Sequence, residues 1–221
     1  LILEENPKRI LLPDREDTAK AVILCMGAHA RSLGIPREDE LTGAGISYCA
    51  TCDGAFFKEK AVAVVGGGDT ALSDALYLSR FCTSVTLVHR RDEFRAAAVL
   101  VEKAKTVPNI HFATSCVPLS LVGEHCVEGL EIMDLKTSVP RTLPVSGVFV
   151  AVGITPQSQL VKGVVNMNEG GSIFTDELMK TNIPGVYAAG DIRTTPLRQV
   201  ITACADGAVA ATTALEFISC H

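Results

Sequence analysis

The chain has 221 residues, 48% hydrophobic and 20% charged, with a formal charge of −5 from 20 basic and 25 acidic side chains. That hydrophobic share excludes a disordered chain, and the lack of a long basic run argues against nucleic acid as a partner. No stretch approaches the roughly 18–20 consecutive apolar residues of a membrane span, and the length suits one large domain or two small ones.

The first residues, Leu1-Ile2-Leu3-Glu4-Glu5-Asn6, have neither the basic leader nor the cleavage site of a signal peptide, so a cytoplasmic protein is expected. They also lack an initiator Met, which suggests a processed, truncated or fragmentary chain. Arg9–Leu12 and Ala21–Leu24 read as short strands, and Leu33-Gly34-Ile35-Pro36 and Gly43-Ala44-Gly45 as turns. From about Lys60 the pattern becomes β-α-β. Ala61–Val65 is an apolar run of strand length, Asp69–Phe81 has apolar residues at helical spacing, and Val85–Val88 is a second strand. A helix over Glu93–Lys105 and strands at Ile110–Ala113, Val127–Asp134 and Thr142–Val152 are predicted next. After the break at Gly153-Ile154-Thr155-Pro156 come a buried strand over Gly185–Ala189 and an Ala-rich helix over Gln199–Phe217. The alternation predicts an α/β fold with a parallel sheet.

Gly66-Gly67-Gly68-Asp69-Thr70-Ala71 matches G-x-G-x-x-G/A between a predicted strand and helix. Gly66 permits a tight turn, Gly68 lets the backbone approach a pyrophosphate, and Ala71 permits close helix–strand packing. The helix N-terminus then offers unpaired N–H groups to the phosphates. At the end of the second strand, where NAD-binding proteins carry an acidic residue for the ribose, stand His89-Arg90-Arg91, with Arg95 one turn on. Cations there suit the 2′-phosphate of NADPH; the alternative is a solvated surface pair.

Eight cysteines are present, and one pair is tightly spaced, Cys49-Ala50-Thr51-Cys52. A zinc arm would need a second pair at ligand spacing, and none occurs in the sequence. Two inert buried thiols are the other alternative. Small intervening residues and the following Asp53-Gly54 favour a redox-active dithiol, with Asp53 as proton donor or acceptor. Hydride chemistry and disulfide opening are bridged by a flavin, so an FAD site is expected as well.

Tyr48–Gly54, the Gly66–Ala71 loop, His89–Arg95, Gly185–Asp191 and Arg198–Ala211 together closely resemble the low-molecular-weight thioredoxin reductases. The resemblance implies two nucleotide-binding, Rossmann-like domains: a discontinuous FAD domain of residues 1–46 and 154–221, and an NADPH domain of residues 47–153 carrying the pair. It implies that Cys52 faces the flavin, that Cys49 attacks thioredoxin's disulfide, and that Asp53 is the acid–base group. Gly66, Gly68, Asp69, Thr70 and Ala71 would hold the NADPH pyrophosphate, and His89, Arg90, Arg91 and Arg95 the 2′-phosphate. Gly190, Asp191, Arg198, Gln199 and Val200 would belong to the FAD site, and Gly153 is expected as a further cofactor-binding residue. Family members are homodimers whose two domains rotate against each other. The family opens with an FAD-binding β-α-β unit bearing its own G-x-G-x-x-G. This chain has no such motif before residue 60, so its FAD domain is expected to lack that unit. Asp69 stands where Asn is usual, putting an extra negative charge near the phosphates. Another protein acceptor, and a flavin-free NADPH-binding fragment, are the alternative functions.

Overall fold

The structure, a computed structural model, describes residues 1–220; His221 lies outside them. In chain order the strands begin with β1 (Lys8–Leu11), β2 (Glu16–Ala19), β3 (Val22–Leu24), β4 (Ala28–Ala30) and β5 (Ile46–Ser47). The short helix α1 (Ala50–Asp53) follows, then β6 (Ala61–Gly66), α2 (Asp69–Leu78), β7 (Ser84–Val88), α3 (Ala98–Lys105) and β8 (Ile110–Ala113). Strands β9 (Cys116–Val122), β10 (Gly129–Asp134), β11 (Pro140–Leu143), β12 (Gly147–Ala151), β13 (Ile154–Pro156) and β14 (Val186–Ala188) lead to the terminal helix α4 (Val200–Cys220).

The chain forms two compact units, residues 1–29 with 154–221, and residues 30–153. The sequence-based boundary at 46–47 thus moves to 29–30. Leu41 and Ile46, 2% and 1% exposed, pack into the same core as Val148 and Val150 of β12, so residues 30–46 go with the second unit.

The second unit is built on a parallel sheet in the order β5-β12-β6-β7-β8. Strand alternation sets its two faces. Val62 and Val64 of β6, with Val85 and Leu87 of β7, face Ala71, Leu72, Ala75 and Leu78 of α2. Ala63 and Val65 point the other way, into a core with Leu121, Leu130, Ile132 and Leu143 from the antiparallel meander β9-β10-β11. The strand predicted over Thr142–Val152 is in fact two. Pro144, with no N–H to donate, falls between them; β11 completes the meander, and Ser146 N donates to Ala61 O at 2.9 Å as β12 enters the parallel sheet.

The predicted helix Glu93–Lys105 also starts late, at Ala98. Tertiary hydrogen bonds hold the preceding residues as a loop: Arg95 N donates to Gly67 O at 2.8 Å and Ala97 N to Asp69 Oδ1 at 2.7 Å.

In the first unit β3 and β14 pair in parallel. One side of this pair packs Leu24, Val186 and Ala188 against Leu3, Val161, Ile173 and Ile192. Its other side carries α4, through Tyr187 and Ala189 against Ala210 and Ala214. α4 is also the one helix among the described residues long and apolar enough, by length and composition, to cross a membrane.

Candidate active site and nucleotide cradle

The Cys pair sits where β5 gives way to α1. Cys49 is the extended N-cap residue, and its carbonyl accepts from Cys52 N at 3.2 Å and Asp53 N at 3.1 Å. One helical turn therefore stacks residues 49 and 52 on one side. Their Cα atoms lie 5.3 Å apart and the sulfurs are joined in a disulfide. Cys49 is half-buried and Cys52 exposed. Asp53, the last residue of α1, accepts a hydrogen bond from Ser47 Oγ at 2.7 Å. Behind the pair, the buried Glu38 carboxylate accepts from Leu33 N, Gly34 N and Tyr48 Oη, each at 2.8 Å. Burial and the Glu38 charge push the Tyr48 hydroxyl up to about 12, so it stays a donor. Among the described residues no group of three or more His, Cys, Asp or Glu is placed to hold a metal.

The glycine loop lies in the same unit. A cavity of about 400 Å³ is lined by Gly66, Gly67, His89, Arg90 and Arg95, with Arg31 and Ser32 from the segment before the Cys pair. A Cβ at Gly66 would fall on Ala71 and the Ala151 carbonyl, and one at Gly67 on the His89 ring. A Cβ at Gly68 would meet nothing within 4 Å. Gly68 is the N-cap of α2 and no side chain caps that end, so the first N–H groups of α2 are offered to the open side. This close-packed floor beneath an open, cationic mouth fits the phosphates of NADPH.

Not every predicted residue joins the cavity lining. Arg90 and Arg95 do; Arg91, Gly68, Thr70 and Ala71 do not. His89 is 6% exposed, stacks on Phe94 with centroids 5.1 Å apart, and meets Glu93 O through Nε2 at 3.2 Å. Burial first, then the nearby Arg95, Arg90 and Arg91, lower its pKa against the raising effect of Glu93 O. Its buried ring forms the floor under Gly67. Asp69 spends its carboxylate on Ala97 N, so it braces the Arg95 loop.

In the first unit, Gly190 and Asp191 form a tight turn ahead of α4. Gly190, at φ 77°, takes a left-handed conformation that suits glycine. Its N–H donates to Asp206 Oδ2 at 3.1 Å. Arg193 grips the same carboxylate with Nε–Oδ2 at 2.6 Å and Nη2–Oδ1 at 2.9 Å. Arg198 Nε is enclosed and has no hydrogen-bond partner among the described residues. A pinned turn beside an acidic residue and an unsatisfied buried donor fit one side of a bound FAD. Gly153, at φ 105°, accepts from Arg31 N at 3.0 Å in the second unit.

Sequence reasoning missed Ser47, Glu38, Arg31 and the Arg193–Asp206 pair. Ser47 stands two residues before Cys49 and was within reach of a local reading. Glu38 meets partners four to ten residues away, in a loop with no regular period, and Arg31 and the Arg193–Asp206 pair meet theirs only across the fold.

Comparison with known proteins agrees with this geometry. Residues 3–207 match the pyridine nucleotide-disulphide oxidoreductase family. A thioredoxin reductase of Peptoclostridium acidaminophilum is 47% identical over 212 residues, covering 93% of this chain and 67% of the relative. The chain belongs to the thioredoxin reductase family. A bifunctional thioredoxin reductase/thioredoxin of Mycobacterium leprae is 45% identical over 92% of the chain and 44% of the relative. The crystal structure of thioredoxin reductase from Streptococcus pyogenes matches with TM-score 0.90 and 39% identity, covering 96% of this chain and 70% of that one. The chain spans about two thirds of the length of curated thioredoxin reductases, from 63% to 70% in the first five. The family is an oxidoreductase family that uses FAD and NADPH, and its Rossmann-like α/β fold is the one found here.

Proposed function

We propose that the chain carries the disulfide-exchange and NADPH-binding machinery of a thioredoxin-disulfide reductase. The observation that carries this reading is the Cys49–Cys52 disulfide on a single helical turn ending in Asp53, in the same unit as a cationic dinucleotide cradle. Gly66, Gly68, Thr70 and Ala71 hold the pyrophosphate, and Arg90 and Arg95, with Arg91 beside them, the 2′-phosphate. Gly190, Asp191, Arg198, Gln199 and Val200 hold FAD, and Gly153, in the other unit, is a further cofactor-binding residue. The chemistry supplied by bound NADPH and FAD is the two-electron reduction of the Cys49–Cys52 disulfide.

The chain's own residues then do the exchange. The Cys49 thiolate attacks one sulfur of the acceptor's disulfide, forming a mixed disulfide and expelling the acceptor's other sulfur, which takes a proton. Cys52 attacks Cys49 Sγ, re-forming the internal disulfide and releasing the acceptor's second thiolate, which takes another. Asp53 moves these protons. Thioredoxin is the acceptor, a reading supported by the relative in which both activities share one chain. A homodimer in the cytoplasm completes the proposal; six further cysteines left unpaired in the structure suit a reducing compartment.

The test is NADPH-dependent reduction of thioredoxin by the full-length protein and its Cys52→Ser variant, with FAD supplied. Loss of at least about a hundredfold is expected, since the resolving thiol is removed. Full activity in the variant refutes the mechanism, and activity confined to another protein disulfide refutes the acceptor.

A further inference from the structure

Ser47 belongs to none of the roles above, yet it touches two parts of the redox helix. The residue is 3% exposed, on the two-residue edge strand β5. Parallel pairing with β12, where Ser47 sits opposite Phe149, fixes its backbone. The hydroxyl accepts from Cys49 N at 3.1 Å and lies 2.7 Å from Asp53 Oδ2 and 3.3 Å from Cys49 O. A hydroxyl has one proton to donate, and the shorter contact directs it to the carboxylate. One side chain thus ties the N-cap of α1 to the acid at its end. Asp53 Oδ2 is anchored, while Oδ1 takes no hydrogen bond from any described residue. Ser47 is buried, so water is poorly placed to replace it.

We propose that Ser47 is a positioning residue for thiol–disulfide exchange: it holds Asp53 by one oxygen, so that the other faces the protons the sulfurs take up and release. When Asp53 takes a proton on Oδ1, Oδ2 becomes the carbonyl oxygen and still accepts from the Ser47 hydroxyl. The side chain therefore stays satisfied in both states. The inference rests on the exchange chemistry proposed for Cys49 and Cys52, but not on NADPH, FAD or thioredoxin.

The experiment uses the oxidised chain. Its other thiols are blocked with N-ethylmaleimide, and the protected pair is then reduced. The rate at which the dithiol opens a nitrobenzoate disulfide is followed against pH. Ser47→Val and Ser47→Thr are nearly the same shape, so the comparison isolates the hydroxyl even if Ser47→Ala packs badly. A hydrogen bond to a charged group is worth about tenfold. The Val variant is therefore expected to be about tenfold slower than the Thr variant near neutrality, with the pH midpoint displaced by about one unit. In an Asp53→Asn background the Val and Thr variants are expected to coincide. Equal rates and midpoints for Val and Thr, or a Val–Thr difference that persists without the Asp53 carboxylate, overturn the proposal. Failure of thioredoxin reduction alone would strike the proposed function and leave this measurement standing.

Discussion

Removing Arg193 should uncouple the Asp191 turn from α4. The Arg193 and Asp206 side chains are only 15% and 12% exposed, and the guanidinium meets both Asp206 carboxylate oxygens. The Arg193 hydrogen bond, helped by the Gly190 N–H, holds the Asp206 carboxyl below the usual range against the cost of burial. Breaking a buried pair by deleting one partner costs about 3–5 kcal/mol because the survivor stays charged and unmatched. Some solvent access here lowers the expectation for Arg193→Met to about 2–4 kcal/mol. Arg193→Met with Asp206→Asn removes both charges, keeps an acceptor for Gly190 N–H, and should recover most of the loss. Native-state hydrogen exchange at Gly190 and along 200–220 measures this locally, which suits a chain of two units. The pH dependence should invert. In the parent chain Asp206 has a depressed folded pKa, so its stabilisation is full above the unfolded value of about 3.9 and fades as pH falls through the folded one. In Arg193→Met the unpaired carboxylate is a liability, so acidification should restore protection. A loss below about 1 kcal/mol, or a double variant as unstable as the single, would refute this account.

Three further substitutions test the second unit. Burial raises the Asp74 carboxyl on α2 to about 6. A folded pKa above the unfolded value of about 3.9 means stability is full below that value and declines as pH rises through the folded one. Asp74→Asn should therefore stabilise by about 1–2 kcal/mol at pH 7.5 and by little near pH 4, and an equal Tm at pH 7.5 would count against it. Gly67→Ala drives a Cβ into the His89 ring, which Phe94 and Glu93 O hold in place, so unfolding should be easier by about 1–3 kcal/mol. Gly68→Ala meets open space and should keep the stability while weakening NADPH binding, a contrast that calorimetry of binding and of melting can read.

The legible parts were those encoded by short-range pattern. The apolar run at Ala61–Val65, the glycines after it and the 3.6-residue spacing of Ala71, Leu72, Ala75 and Leu78 each describe one element by itself. The Cys49–Cys52 spacing is likewise local, because one helical turn closes it. Where the reading slipped, a neighbour from elsewhere had intervened. Gly67 and Asp69 hold residues 95 and 97 out of the helix predicted for them. Pro144 divides what apolar content alone presents as one strand.

The sequence by itself determined which chemistry the chain carries, since a C-x-x-C-D motif and a dinucleotide loop are each complete within a few residues. The tertiary structure alone decided how that chemistry is held. It assigned residues 30–46 to the unit that carries the Cys pair, put Arg31 in the lining of the cavity beside Gly66 and Gly67, turned His89 into a buried floor, and joined Arg193 to Asp206. Each of these depends on burial and on partners from separate elements, and a hydrogen bond's partner across a fold leaves no periodic trace in the chain.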